Sequence, residues 1–180
     1  MDANGVLSAC YDQTNQALRV VGANEAFYIG SAQVNLFNSA TIVRTNSWPR
    51  VQFADAATQS IDFTFQPPRW WSQMGIGFTW VNDSAASGNV RWRVAVKKEG
   101  IATGNISNAF DSDVSANIGA GSQNVPQFTI DHIANFNCVQ DVFSSVYTVL
   151  IERIGADAGD TLAGAVSILD VVIRKNPVVP

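Results

Sequence analysis

Charge is scarce in this sequence: Lys, Arg, Asp and Glu make up 14% of its 180 residues, well below the roughly 25% of an ordinary soluble domain. Basic residues are the rarer sign, 11 against 15 acidic, for a net charge of -4. Binding a nucleic-acid backbone needs clustered Lys and Arg, so no nucleic-acid partner is expected. Two cysteines, Cys10 and Cys138, are too few for a disulfide framework and are read as free thiols, with pairing between them left open. The one histidine, His132, stands beside Asp131. Neighbours on an extended chain point to opposite faces, so a strand-end histidine with ordinary hydrogen bonds is preferred to a catalytic base. G-x-S-x-G, H-E-x-x-H and C-x-x-C are all missing, which removes the signals of nucleophile-elbow hydrolases and zinc proteases. Gly75-Ile76-Gly77 lacks the third glycine of a dinucleotide fingerprint. Apolar runs are broken by polar residues within a few positions, so no membrane span is expected. The opening Met1-Asp2-Ala3-Asn4-Gly5 has no basic region leading into an apolar stretch, so neither a secretory signal nor a lipid anchor is expected.

What the chain does have is alternation. In Val90-Arg91-Trp92-Arg93-Val94-Ala95-Val96-Lys97, the apolar set Val90, Trp92, Val94 and Val96 alternates with Arg91, Arg93 and Lys97, as in a half-buried strand. Ile61-Asp62-Phe63-Thr64-Phe65-Gln66 alternates likewise and is stopped by Pro67-Pro68. Further strands are predicted at 5–11, 17–21, 33–37, 48–53, 74–81, 127–132, 142–154 and 166–174, about ten in all. Turn-forming residues fill 82–89 and 155–160, which read as hairpin loops. The stretch 104–126 reads as a long loop with one short strand, and 54–58 or 135–144 as room for a short helical turn. Many strands without a βαβ rhythm predict an all-β chain, an antiparallel jelly-roll-like β-sandwich with extended terminal arms. The divisions expected are an N-terminal arm or hairpin over 1–25, a sandwich domain over 26–174 and a tail over 175–180.

Chemistry is harder to place. Two acidic pairs, Asp111 with Asp113 and Asp157 with Asp160, are candidate calcium ligands, but without EF-hand spacing they read as turn caps. No two of the 15 acidic residues are singled out as a glycosidase pair. The expectation is therefore a protein with no catalytic residue, cofactor or metal. Hydrophobic residues at 47% on a charge-poor surface imply that neighbours cover part of it, hence a homo-oligomer. Trp80 and Trp92 fall in register with core positions. Trp70 and Trp71 are adjacent and cannot both point inward from an extended segment, so with Arg69 they form the expected partner surface. Leu7, Cys10 and Tyr11 at one end, and Pro177 and Pro180 at the other, are the expected gripping arms.

Four pieces of the chain resemble the jelly-roll structural proteins of tailed-phage virions, a class that includes trimeric capsid decoration (cement) proteins and tail fibre or spike domains. They are Val6-Leu7-Ser8-Ala9-Cys10-Tyr11 followed by Ala17-Leu18-Arg19-Val20-Val21, Trp70-Trp71 before a glycine-containing strand, Gly88-Asn89-Val90-Arg91-Trp92-Arg93-Val94, and Arg153 followed by Gly159-Asp160-Thr161-Leu162-Ala163-Gly164-Ala165. The resemblance implies a trimer on a virion surface with arms on adjacent subunits. With no coiled-coil shaft in the sequence, it favours a cement protein bridging major capsid subunits over a fibre. The alternative is a receptor-binding module of the virion that takes a glycan, with exposed tryptophans as platforms.

Overall fold

The computed structural model describes residues 26–30, 33–45, 48–67, 71, 73–99, 112–129, 135–137 and 146–175. The expected arm at 1–25 and, apart from Lys175 at the end of the last strand, the expected tail at 175–180 lie outside these residues. Twelve strands are described: β1 Ala26–Gly30, β2 Asn35–Phe37, β3 Thr41–Thr45, β4 Trp48–Phe53, β5 Thr58–Phe65, β6 Gln73–Asn82, β7 Asn89–Glu99, β8 Ser112–Gly119, β9 Gln127–Thr129, β10 Asn135–Asn137, β11 Val146–Ile154 and β12 Val166–Lys175. They pair antiparallel into two sheets, one of seven strands built on β6 and β12, and one of five in the order β2-β5-β11-β7-β8. The chain is thus an all-β jelly-roll sandwich, with no α-helix among the described residues.

Alternation builds both layers. Ile61, Phe63 and Phe65 of β5, Val90, Trp92, Val94 and Val96 of β7, and Tyr147, Val149 and Ile151 of β11 point inward. They meet Met74, Ile76, Phe78 and Trp80 of β6 and Val166, Ile168, Val171 and Ile173 of β12. Trp92 anchors the centre, edge-on to Phe53, Phe78 and Trp80 at centroid distances of 5.5, 5.0 and 5.7 Å. Each such large apolar side chain, once buried, stabilises the fold by about 1.5–3 kcal/mol. Trp80 and Trp92 are core residues, as their register predicts.

Strand β12 shows how one strand serves two neighbours on the same side. Its first residues, Val166 to Ile168, pair with β4, and its later ones, Asp170 to Arg174, pair with β1. Between them the register against β6 shifts at Leu169. Such a bulge breaks the ladder locally, and the Asp170 carboxylate accepts from the Thr79 amide at 3.2 Å there. Pro49 sits in β4 opposite Arg44 of β3, where β12 does not reach, as proline in a strand requires.

Six segments depart from the sequence reading. Residues 82–89 and 155–160 do not close hairpins: β6 and β12 belong to the seven-stranded sheet, β7 and β11 to the other, so both loops cross between layers. Turn residues mark a change of direction and say nothing about which sheet receives the next strand. Within 104–126, β8 runs for eight residues. Its apolar set, Val114, Ala116 and Ile118, alternates at period two but is too small and too polar-flanked to stand out. At 135–137 there is a strand rather than a helical turn. β1 and β3 were not anticipated, although both carry the aromatic and β-branched residues that favour strands.

Candidate functional site

Four inter-sheet loops, 54–57, 83–88, 120–126 and 155–165, gather at one end of the sandwich, and two buried polar centres tie them down. The Arg153 side chain is 0% exposed. Its guanidinium grips Asp160 bidentately, Nε to Oδ2 at 2.9 Å and Nη2 to Oδ1 at 2.8 Å. It also donates to the carbonyls of Ala54, Leu162 and Gly164 at 3.1, 3.0 and 2.7 Å. Asp160 Oδ2 additionally accepts from the Arg91 amide at 3.2 Å. The second centre is Asp83, which accepts from Gln52 and Ser167 at 2.9 and 2.6 Å. Arg50 Nη1 lies 2.9 Å from Asp83 Oδ1, an ion pair by distance in which neither that oxygen nor Arg50 Nε completes an aligned hydrogen bond. These groups serve the architecture: their bonding capacity is turned onto the chain itself.

The calcium candidates resolve the same way. Asp157 accepts from the Gly159 amide at 2.7 Å, as a turn cap does. Asp160 belongs to Arg153, and Asp113 to Arg93 at 2.9 Å. Among the described residues no three His, Cys, Asp or Glu gather as a metal site would need. Asp111, His132 with Asp131, and Cys138 lie outside the described residues.

The outer face of the five-stranded sheet is different: at its β7–β8 side Arg93 and Asp113 reach solvent, while Glu152 is 13% exposed and Ser60 is buried. Strand register places one outward residue from each strand in a row: Phe37 opposite Ser60, Ser60 opposite Glu152, Glu152 opposite Arg93, Arg93 opposite Ser115. At about 4.8 Å between strands, four spacings make a row of about 19 Å. Arg93 bridges Asp113 at 2.9 Å and Glu152 at 3.3 Å. Burial alone lowers the pKa of this guanidinium, but the hydrogen bonds and charges of Asp113 and Glu152 outweigh it and hold Arg93 above its ordinary value. Arg91 donates to Asn117 at 3.0 Å and Ser115 at 2.7 Å. At the far edge Asn35 donates to Asp62 at 2.7 Å, next to Phe37, whose ring is 45% exposed. The face therefore offers the Asp113 carboxylate, the Arg91 and Arg93 guanidiniums, the Ser115 hydroxyl and the Asn117 amide at its β7–β8 side and an aromatic at the β2 edge, with part-buried Glu152 and buried Ser60 between them.

The predicted partner surface fares otherwise. Trp71 is a core residue, 1% exposed, with its ring 5.9 Å from that of Phe65. Its assignment to a partner surface is corrected: alternation requires only that one of two adjacent tryptophans turn inward, and Trp71 does. Arg69, Trp70, Leu7, Cys10, Tyr11, Pro177 and Pro180 lie outside the described residues. Missed by sequence reasoning were Phe37 and Glu152, while Asp113 was singled out only as a turn cap and pairs instead with Arg93. The polar side of β7 was legible, but Phe37 and Glu152 become its neighbours only through a strand order that alternation does not encode.

No protein-family model matches the chain. No curated protein matches it either. Among solved structures, a family 35 carbohydrate binding module from Clostridium thermocellum superposes with TM-score 0.55 at 12% identity, over 82% of this chain and 96% of that one. The C-terminal CBM6 of LamC from Zobellia galactanivorans gives TM-score 0.52 at 10% identity, over 83% and 99%. The Cry4Aa toxin of Bacillus thuringiensis gives 0.54 at 10%, over 85% of this chain and 24% of the toxin. At such identities the likeness is one of fold, and what it establishes is that this chain has the jelly-roll architecture of carbohydrate-binding modules.

Proposed function

We propose that this chain is a non-catalytic carbohydrate-binding module whose ligand lies on the outer face of the five-stranded sheet. The observation that carries the reading is the cross-sheet row ending in Phe37. Sugar hydroxyls donate and accept, and the row with its neighbours on β7 and β8 supplies acceptors at Asp113 and part-buried Glu152, donors at Arg91 and Arg93, and mixed groups at Ser115 and Asn117. The apolar face of a sugar ring packs on an aromatic ring, which Phe37 provides at the edge. The fold shared with carbohydrate-binding modules supports the same reading. A glycan array followed by calorimetry on any hit tests it. Saturable binding that weakens at least tenfold in Phe37→Ala and in Arg93→Ala, with unchanged folding, is the expected result; an array without a saturable signal removes the reading.

A second reading, a structural subunit on the surface of a phage virion, rests on the 14% charged content and on the exposed apolar residues Val114, Val125 and Phe128. In it the apolar flank is covered by a capsid or tail protein, and the arms and a trimeric state follow from the same resemblance. Mixing the protein with shells that lack it, and measuring their rupture temperature, tests that reading independently of the array.

A further inference from the structure

A strand at the edge of a sheet leaves a row of backbone N–H and C=O groups open to another chain, and proteins blunt such edges with brevity, proline, lysine or bulges. In this sandwich most edges are blunted. β2, β9 and β10 have three residues each, and β3 has five with Arg44 among them. β1 has five residues, and β8 is the longest described edge without such a device. It runs eight residues from Ser112 to Gly119 and pairs without register shift against β7. It contains no proline or lysine, and no described strand lies on its other side. Of its inward side chains, Ala116 and Ile118 pack against the core, and Val114, opposite Val94 of β7, is 37% exposed.

The sequence of β8 is self-complementary about Ala116. In an antiparallel pair with a second copy centred there, Ala116 faces its own counterpart and Val114 faces Ile118 in both directions. Ser115 faces Asn117, and Asp113 faces Gly119. Apolar meets apolar on the inner side and polar meets polar on the outer side. The two Asp113 carboxylates, the only charges in the strand, sit six residues apart, about 20 Å, beyond the screening length of about 8 Å at physiological salt. Centring instead on Ser115 would put Ile118 against Ser112 and draw the Asp113 pair closer.

We propose that β8 pairs antiparallel with β8 of a second copy about a two-fold axis at Ala116, joining two five-stranded sheets into one of ten. The axis is perpendicular to the sheet, because opposed residues in an antiparallel pair share a face. Both polar outer faces then lie on one side. The inference does not depend on what those faces bind.

Cysteine cross-linking reads the register. Opposed Cα atoms in an antiparallel pair are about 4.5–5.5 Å apart, inside the 4.4–6.8 Å span of a disulfide. In full-length protein with Cys10 and Cys138 replaced by Ser, Ala116→Cys is expected to oxidise to a covalent dimer. Val114→Cys, placed four residues from its counterpart, is expected not to. Light scattering on the unmodified chain is expected to give twice the monomer mass. Val114→Lys, which sets a lysine opposite Ile118 twice in the interface, is expected to raise the dissociation constant about 100-fold, at about tenfold for each site. Circular dichroism and the melting temperature of Val114→Lys report whether it still folds, and Ile118→Lys is the second variant if it does not. A monomeric unmodified chain, a trimer without the position-116 disulfide, or cross-linking through position 114 in place of 116 would each overturn the proposal.

Discussion

Replacing Arg153 by Ala is the perturbation for which the structure gives the sharpest magnitude. The substitution removes both hydrogen bonds to Asp160 and the three to the carbonyls of Ala54, Leu162 and Gly164. Among the described residues the Asp160 carboxylate, 1% exposed, then keeps only the Arg91 amide at 3.2 Å. Breaking a buried ion pair by removing one partner costs about 3–5 kcal/mol, because the other charge is left uncompensated. Each orphaned carbonyl adds about 1 kcal/mol where water does not reach it. The terms overlap, so about 5 kcal/mol is expected, against a total of about 5–15 kcal/mol for an ordinary domain. Arg153→Lys keeps the charge but has three donors in place of the planar fork, and is expected to cost about 2–3 kcal/mol. Urea titration followed by tryptophan fluorescence reads these differences. The double variant Arg153→Met with Asp160→Asn should destabilise by at least 2 kcal/mol less than the sum of the singles, the coupling expected of groups in direct contact. A loss under 1 kcal/mol for Arg153→Ala, or additivity in that cycle, would refute the assignment of Arg153 as the pin of this end of the sandwich.

Gly88 has a φ of +154°, and a Cβ added there would lie 2.6 Å from the carbonyl oxygen of Thr161, itself fixed by hydrogen bonds with Asn89. Gly88→Ala is expected to cost at least about 2 kcal/mol, while Gly119→Ala, whose added methyl meets the Asn89 side chain at 3.7 Å, should stay within about 0.5 kcal/mol in the same titration. Trp92→Ala should cost about 3–5 kcal/mol. Trp92→Phe should cost less than half of that, because it also removes a buried indole N–H that has no acceptor among the described residues; equal losses for the two would show that the N–H is satisfied in solution. Phe37→Ala should leave the melting temperature within about 2 °C, as expected at an exposed edge position, and a larger drop would make Phe37 a structural residue and withdraw it from the proposed ligand face.

The alternation of β5, β7 and β11 was enough to read an all-β sandwich and to put Trp80 and Trp92 in its core, because period two states which side of a strand is buried. It does not state which strand lies beside which. Residues 82–89 look like a hairpin loop because Asn, Asp, Ser and Gly serve any reversal, whether the chain returns to the same sheet or crosses to the other. That ambiguity hid the candidate face. Arg91 and Arg93 were legible as the polar side of β7, but Glu152 stands 59 residues away from Arg93 in sequence, and no local pattern brings them together. Trp71 illustrates a related point: two adjacent aromatics on an extended chain leave open which one faces the core, and Trp71 does.

The same long-range wiring orders the long side chains of the proposed ligand face. Arg93 is held between Asp113 and Glu152, and Arg91 between Asn117 and Ser115, so the long side chains are already ordered by cross-strand partners. Immobilising a free side chain on binding costs about 0.5–1.5 kcal/mol, a cost this arrangement has largely met during folding. Flexible surface lysines would offer the same hydrogen-bond donors without that order. Arg93→Lys therefore separates the two contributions: it keeps the charge between the carboxylates but loses the fork that reaches both. If preorganisation matters, glycan binding falls severalfold in Arg93→Lys while the melting temperature hardly moves, since the pair is partly exposed and such pairs contribute little to stability. If Arg93→Lys binds as tightly as the unmodified chain, the row acts as a charge pattern and its geometry is incidental.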